Sequence, residues 1–323
     1  CHAVIWGSFG LFLVVTFATA EAVPIISALK GASAQELGQQ RGDFLKTRTG
    51  AEAALIYFNT LFVSALLPYS LAQLFIAKSR HRYLLLLLFL AYSLSFLQKA
   101  LFINVLFPLL YLAARNQKAG STRVIAIIAG SALLLYGITR LAFGGQETMA
   151  SVEVDGPTDY FVANYLPGSA VEHLVWRSTA VPMFSASDTL VVHAEQFGGQ
   201  MLWGATSSFF AGIFGLERIP MERLVSEYQW GWSDIANTNS VYITEAFINF
   251  GWTGVILFSV FVGQVMRWFY RSRDEAFKSL SMIFCFAIFT SGLIGTLLSN
   301  GYILIFAIAL FVKLKAPTPH EQY

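Results

Sequence analysis

Residues 241–268 read VYITEAFINFGWTGVILFSVFVGQVMRW, with one acid, Glu245, near the start and one base, Arg267, near the end. A helix needs about 20 mostly apolar residues to cross the hydrocarbon core of a membrane, and this stretch is long enough. Three further segments meet the same requirement: Ala3–Ala20, Ala53–Ala77 and Arg123–Phe143. The pattern predicts a helical membrane protein.

The composition of the whole chain agrees with that prediction. Of 323 residues, 56% are hydrophobic and 12% are charged, against roughly 25% charged in an ordinary soluble domain. These values exclude a soluble enzyme and a disordered chain. Two cysteines, Cys1 and Cys285, are too few for a disulfide framework. Because the chain starts with Cys and enters a hydrophobic segment at once, we expect an N-terminal portion to precede it.

Two hydrophobic runs are too long for a single crossing at 1.5 Å per residue. Tyr83–Ala114 has Gln98 and Lys99 in its middle, and Ser281–Leu314 contains a polar stretch at residues 299–301. Each run is therefore expected to form two short crossings joined by a turn. The predicted fold is an all-α polytopic integral membrane protein, a single membrane domain over residues 1–323 with about eight transmembrane helices.

The distribution of basic residues predicts the orientation. Of the 21 Lys and Arg residues, 12 fall in four segments that the span count places on one face: 78–82, 115–123, 267–278 and the tail containing Lys313 and Lys315. The positive-inside rule makes that face cytoplasmic. The periplasmic face then carries a first segment, 21–52, and a large loop, 144–240. The large loop is too long for a simple connector, and we expect it to form short helices on the outer membrane surface.

Several basic residues lie on the outer side, against the usual bias. They are Arg41 and Arg48 in the first segment, Lys99 in an outer turn, and Arg140 about one turn inside a span. Guanidinium groups match phosphate oxygens bidentately, so this set suits an anionic group presented at the outer leaflet. The alternative is contact with lipid headgroups, or ion pairs with neighbouring acids.

The large loop contains a second group of candidate residues. Pro182 is expected to end one helix, and the next helix is expected to start with a Ser or Asp cap, which makes Asp188 a candidate cap. Glu195 lies deeper in that helix, where no cap role is open, and is the favoured acid–base residue. His193 is an alternative, although a lone histidine in a loop helix more often has a structural hydrogen bond.

The return from the loop into the membrane supplies a third pair. Glu245 and Asn249 are four residues apart near the outer end of their helix, so they share a face that we expect to line a polar cavity. Hydrogen bonds between helices, without any substrate role, are the equally weighted alternative.

No motif points to a metal or a nucleotide. The sequence contains no HExxH or CxxC, no DxD, no P-loop and no GxGxxG. The net charge of +2 gives no indication of nucleic-acid binding. We therefore expect chemistry without a metal or a cofactor, driven by the substrate itself.

Together these features resemble the Wzy-type oligosaccharide repeat unit polymerases of bacterial envelopes, which make O-antigen and other polysaccharides. An Arg41-Gly42 element follows an early span, and paired short spans surround Lys99. The large loop contains Trp176-Arg177 followed by Pro182, and the returning helix contains Asn249-Phe-Gly251-Trp-x-Gly254. The likeness extends over most of the chain, although its motifs are loose.

The resemblance implies a GT-C-like glycosyltransferase of the bacterial inner membrane that acts at the periplasmic face. A growing glycan on undecaprenyl pyrophosphate is transferred en bloc to an incoming lipid-linked repeat unit, and undecaprenyl pyrophosphate leaves. Arg177 and the outer basic set would stabilise the leaving group, and Glu195, His193 or Glu245 would be the base. Membrane lipid, a chain-length regulator and a repeat-unit flippase are the implied partners. An O-antigen ligase and a flippase or transporter remain alternatives.

Overall fold

The computed structural model describes residues 2–32, 36–37, 40, 44, 48–95, 99–115, 129–130, 133–134, 136–137, 176, 180–230, 238 and 241–311. In this part of the chain all regular secondary structure is helical, which confirms the predicted fold class at that level. The helices are α1 (His2–Ala18), α2 (Pro24–Leu29), α3 (Glu52–Ile76), α4 (Arg82–Ser95), α5 (Lys99–Arg115), α6 (Val181–Phe197), α7 (Ser208–Phe214), α8 (Met221–Trp230), α9 (Tyr242–Arg271), α10 (Glu275–Thr290), α11 (Leu293–Leu298) and α12 (Tyr302–Phe311).

Two of these helices, α3 and α9, are long and apolar enough to cross a membrane. The apolar helices α1, α4 and α5 have 17, 14 and 17 residues, which is less than a full crossing normally needs. The predicted span Arg123–Phe143 lies largely outside the described residues. In the described residues two helices are thus candidate membrane spans by length and composition, and the count of eight spans stays a prediction.

The observed helix ends in the two long hydrophobic runs agree with only some of the predicted turns. In the first run one helix ends at Ser95 and the next begins at Lys99, and residues 96–98, where the turn is predicted, lie outside the described residues. The second run divides at Gly301, as predicted, and also at Gly292, which was not predicted. Both glycines have positive φ, +75° and +72°, a conformation that other residues rarely adopt. The expected continuous helix from Ser281 is therefore wrong: its helix begins at Glu275, ends at Thr290 and is followed by the short α11. Whether these two helices together cross a membrane stays a prediction.

Aromatic side chains make up much of the core of the bundle. Phe9 of α1 packs against Phe62 of α3 and Tyr92 of α4, with ring centroids 5.6 and 5.2 Å apart. A second cluster joins α10 and α12 through Phe284 and Tyr302, whose centroids are 5.3 Å apart. These contacts hold α1, α3 and α4 together on one side and α10 and α12 on the other.

Charged residues gather at one end of the bundle, which we call the basic end. Arg115, the last residue of α5, forms an ion pair with Glu275, the first residue of α10. Asp274 caps α10 by accepting hydrogen bonds from the backbone N–H groups of Ala276 and Phe277. These contacts bring together segments that the charge pattern assigns to one face. The cytoplasmic position of that face stays a prediction.

Helices α6, α7 and α8 form a small unit at the opposite end, which we call the cap (residues 180–230). Helix α6 runs from Val181 to Phe197 with Pro182 in its first turn, so the expected start of this helix at a Ser or Asp cap further along is wrong. Proline suits a first helical turn because it has no backbone N–H to donate and that turn needs none. The helix predicted to end at Pro182 lies largely outside the described residues. The cap packs on α9 through Val192, Leu202 and Ile248.

Helix α9 is kinked at Gly251, where φ is +60° and ψ is −155°. The cap hydrogen bonds to the turn before the kink: Leu202 N–H donates to the Ile248 carbonyl at 3.0 Å, and Trp203 N–H to the Asn249 carbonyl at 2.9 Å. The first part of α9 is thus attached to the cap, and the part after Gly251 continues into the bundle.

Candidate active site

A cavity of about 720 Å³ lies where the cap meets the end of the bundle opposite the basic end. Hydroxyl groups from both regions line it. The cap contributes Thr189, Thr206 and Ser207, and the bundle contributes Thr290, Ser291 and Ser299. The hydroxyls of Thr189 and Thr290 donate to carbonyls of their own helices, those of Ser185 and Phe286, and can still accept a hydrogen bond from a ligand. A hydroxyl that donates to no other group can offer a ligand both a donor and an acceptor, so the wall suits a ligand rich in hydroxyl groups.

Glu245 is the acid of the bundle that lines this cavity. Its Oε2 accepts hydrogen bonds from the backbone N–H groups of Leu293 at 2.7 Å and Ile294 at 3.3 Å. Gly292 makes this approach possible, since a Cβ there would lie 2.6 Å from Oε2. No described residue donates a hydrogen bond to Oε1. The two bonds at Oε2 thus fix the orientation of the carboxylate at the edge of the cavity.

Asn249 lies one turn further along α9 and is fully buried. Its Oδ1 accepts a hydrogen bond from Gly204 N–H at 3.0 Å, and its Nδ2 donates to Thr206 Oγ1 and to the Glu245 carbonyl, both at 2.8 Å. Its amide therefore holds the cap against the turn that carries Glu245. This geometry makes Asn249 a positioning residue, and its predicted contact with substrate stays a prediction.

Among the described lining residues, three are charged: Arg218, Glu222 and Glu245. Arg218 and Glu222 form an ion pair with 2.5 Å between Nη2 and Oε1, so the charges of these two side chains offset each other. The carboxylate of Glu245 then has no partner of opposite charge among the described lining residues. These three side chains together favour an uncharged or cationic ligand over a diphosphate.

The two candidates in α6 lie away from the open part of the cavity. Glu195 is exposed on the cap surface and does not line the cavity. His193 is buried, with its Nε2 2.7 Å from the Gln200 carbonyl oxygen and its ring stacked on Phe197. The hydrogen bond to the chain gives His193 the structural role that the sequence left open as its alternative. The acid–base role of either residue stays a prediction.

Arg48 is the described member of the predicted phosphate-binding set. Its guanidinium donates to the carbonyls of Phe44 and Thr16 at 2.8 and 3.0 Å, to the Thr19 hydroxyl, and to Glu52 Oε2 at 3.1 Å. These bonds use four of the five N–H donors of the side chain. Arg48 thus connects the loop after α2 to the end of α1, and little of its binding capacity is left for a phosphate.

Three other basic candidates, Arg41, Arg140 and Arg177, lie outside the described residues. Lys99 begins α5, but its side chain is likewise not described. Their predicted contacts with a pyrophosphate therefore stay predictions.

Asp188 has a position that the sequence did not predict. It lies in the interior of α6 and is almost fully buried, so it is not a helix cap. Gln229 of α8 donates a hydrogen bond to its Oδ2 at 2.6 Å, and no residue in the described part of the chain bonds to its Oδ1. Burial raises the pKa of this carboxyl, and the bond from Gln229 opposes that effect. No signal in the sequence distinguishes this buried aspartate from a capping one.

Comparisons of this chain with protein-family models, with curated proteins and with solved structures found no match.

Proposed function

We propose that this chain is a membrane-embedded glycosyltransferase, a polymerase that joins undecaprenyl-pyrophosphate-linked oligosaccharide repeat units. The growing glycan is transferred as a block to a hydroxyl of an incoming repeat unit. The acceptor oxygen attacks the anomeric carbon, the bond from that carbon to the pyrophosphate breaks, and undecaprenyl pyrophosphate leaves. Glu245 takes the proton that the acceptor hydroxyl loses.

The observation that carries this proposal is the position of Glu245 in a hydroxyl-lined cavity. A general base must lie within hydrogen-bond reach of the proton that it removes and must be held in the right orientation. The two backbone N–H groups at Oε2 supply the orientation. Oε1 is left for the acceptor hydroxyl, and the Ser and Thr side chains around it suit the other hydroxyls of a sugar.

The charges of the cavity support two separate subsites, one for the acceptor sugar and one for the pyrophosphate. The ion pair of Arg218 with Glu222 makes the cavity a poor site for a diphosphate, so we assign the acceptor sugar to it. The departing pyrophosphate needs positive charge where its own charge develops. We assign that role to Arg41, Arg140 and Arg177, which the sequence places on the outer side.

The proposed arrangement in the membrane has about eight spans in the bacterial inner membrane. The basic end faces the cytoplasm, and the cavity and cap face the periplasm. Lipid-linked repeat units then arrive on the side where the cavity opens. A repeat-unit flippase and a chain-length regulator are the proposed partners.

Deletion of the gene in its host tests this function, with the polysaccharide and the lipid-linked intermediates analysed together. We expect the deletion to leave single repeat units on the cell surface and a plasmid copy to restore long polymers. A ligase would instead leave long polymer attached to its lipid carrier, and a flippase would leave repeat units on the cytoplasmic side. Either result would contradict the proposal.

A further inference from the structure

One surface of the cap is apolar and exposed. Residues 201–216 read MLWGATSSFFAGIFGL and contain no charged side chain. Trp203, Ile213 and Phe214 are 61, 60 and 57% exposed, and Met201 and Phe209 are about half exposed. We call these five residues the apolar patch. Isolated exposed apolar residues are normal on soluble proteins, but a group of this kind marks an interaction site.

Much of the patch lies on the outer side of helix α7. Phe210 of α7 packs against Phe250 of α9, with centroids 6.3 Å apart, and the neighbouring Ala211 is buried. These contacts occupy the inner side of α7. Phe209 and Ile213, four residues apart on the same helix face, are left open on the outer side.

Contacts with α9 fix the level of the patch along the bundle. A Cβ on Gly251 would lie 2.8 Å from Met201 Cε, so Met201 lies beside the residue that precedes Trp252. The 20 residues from Trp252 to Arg271 span about 30 Å as a helix, the thickness of a hydrocarbon core. If Trp252–Arg271 is the part of α9 that crosses the membrane, Trp252 lies at one boundary of the hydrocarbon core. The patch then lies at the same level along the membrane normal.

The exposed face of α9 is apolar from that level onward. Trp252, Ile256 and Val260 follow one another at intervals of four residues and are 73, 62 and 58% exposed. Such a stripe on a candidate membrane helix is the face that contacts lipid. The apolar patch lies next to the start of this stripe, because Met201 lies beside Gly251.

We infer that the apolar patch is immersed in the outer boundary of the bilayer, with lipid acyl chains as its occupant. The absence of charge over residues 201–216, the continuity with the stripe on α9 and the two exposed tryptophans at one level all favour lipid. Phe209 also lines the cavity. The immersed patch therefore gives a lipid-linked sugar a direct path from the bilayer to Glu245. The immersion of the patch rests on the proposed membrane location alone. The path for a lipid-linked sugar also rests on the proposed reaction.

Quenching of tryptophan fluorescence by brominated lipids tests the inference. The full chain is reconstituted in vesicles of phosphatidylcholine that carries bromine either near the glycerol end or near the methyl end of its chains. We expect Trp203→Phe to remove part of the quenching, and to remove more of it with bromine near the glycerol end. Trp252→Phe is the matched control, because Trp252 lies at the same level on α9 itself. Both substitutions keep an aromatic ring, and size-exclusion profiles check the fold.

The two variants separate the outcomes. Quenching lost in both variants supports the inference. Quenching lost in Trp252→Phe and unchanged in Trp203→Phe overturns it, and crosslinking of a Phe214→Cys variant to itself would then assign the patch to a second copy of the chain. Quenching unchanged in both overturns it together with the membrane location. Polymerase activity enters none of these measurements, so failure of the proposed reaction is a distinct result.

Discussion

The two ends of the bundle each hold a carboxylate that accepts hydrogen bonds from the backbone at the start of a helix, but they hold it differently. At the basic end, Asp274 accepts bonds from Ala276 and Phe277 N–H, from Gln73 Nε2 at 2.9 Å and from the Tyr69 hydroxyl at 2.7 Å. Both of its oxygens are occupied. At the cavity end, Glu245 has one oxygen occupied and the other without a described donor.

This difference separates a structural carboxylate from one that is arranged for a ligand. A carboxylate with all its acceptor positions filled stabilises the fold and has little left to offer a substrate. A carboxylate that is fixed by one oxygen and borders a cavity of about 720 Å³ can orient a hydroxyl group at the other. The predictions below test this contrast.

The largest effect is expected for Glu245→Gln. The amide oxygen can still accept bonds from Leu293 and Ile294, so the fold is kept, but the amide cannot take a proton. We expect polymer synthesis to fall by roughly 10²- to 10⁴-fold, the usual contribution of a general base. Gel analysis of the glycan from cells with matched protein levels measures this. The control is Asp274→Ala, which we expect to cost roughly 0.5–2 kcal/mol through the lost helix cap while polymer synthesis continues. A normal ladder from Glu245→Gln would remove this residue from the reaction.

A comparable loss of polymer is expected for Arg41→Ala and Arg177→Ala. Loss of one donor that stabilises a developing negative charge typically costs about 10²- to 10³-fold in rate. Arg177→Lys is expected to be impaired as well, because an ammonium group cannot bind a phosphate bidentately. The comparison is Arg48→Ala, for which we expect a lower melting temperature, since Arg48 connects α1 to its neighbouring loop. Wild-type ladders from both Arg41→Ala and Arg177→Ala would contradict the assignment of the pyrophosphate.

Asn249→Ala is expected to detach the cap from the turn that carries Glu245. The substitution leaves buried partners such as Gly204 N–H without a hydrogen bond, and each such group costs about 1–3 kcal/mol. Limited proteolysis of the purified protein should show faster cleavage within residues 201–216, with a lower melting temperature. Equal protease resistance in the wild type and Asn249→Ala would show that the amide does not hold the cap.

The smallest effect is expected for Asp188→Asn in the cap. Burial raises the pKa of Asp188 in the folded state, so the folded protein binds its proton more tightly than the unfolded chain does. This group therefore lowers stability progressively as the pH rises above its unfolded pKa of about 3.9. Asn keeps an oxygen for the bond from Gln229 without the charge. We expect a higher melting temperature than the wild type at pH 7 and a gain that shrinks towards pH 4. A difference in melting temperature that stays constant between pH 4 and pH 7 would contradict the raised pKa of the buried Asp188 carboxyl.

The local features that the sequence predicted are those set by composition and spacing. The break before Lys99 follows from the polar pair in a long apolar run, and the shared face of Glu245 and Asn249 follows from their spacing of four residues. The other results depended on tertiary contacts. Burial of Asp188 needs Gln229, 41 residues away, and the break at Gly292 accommodates Glu245, which belongs to another helix. Pro182 shows a further limit, because a proline can start a helix as readily as it ends one.

Cysteine accessibility in intact cells tests most directly whether the cavity is the site of the reaction. The parent protein has both native cysteines replaced by serine, and carries either Ser299→Cys in the cavity or Arg273→Cys at the basic end, each with Glu245→Gln to retain substrate. We predict that a membrane-impermeant maleimide labels position 299 from the periplasm. Labelling at this position should slow when the host makes lipid-linked repeat units. Position 273 should react only after the inner membrane is opened. Labelling of position 299 only from the cytoplasm, or at a rate indifferent to the repeat units, would contradict the account.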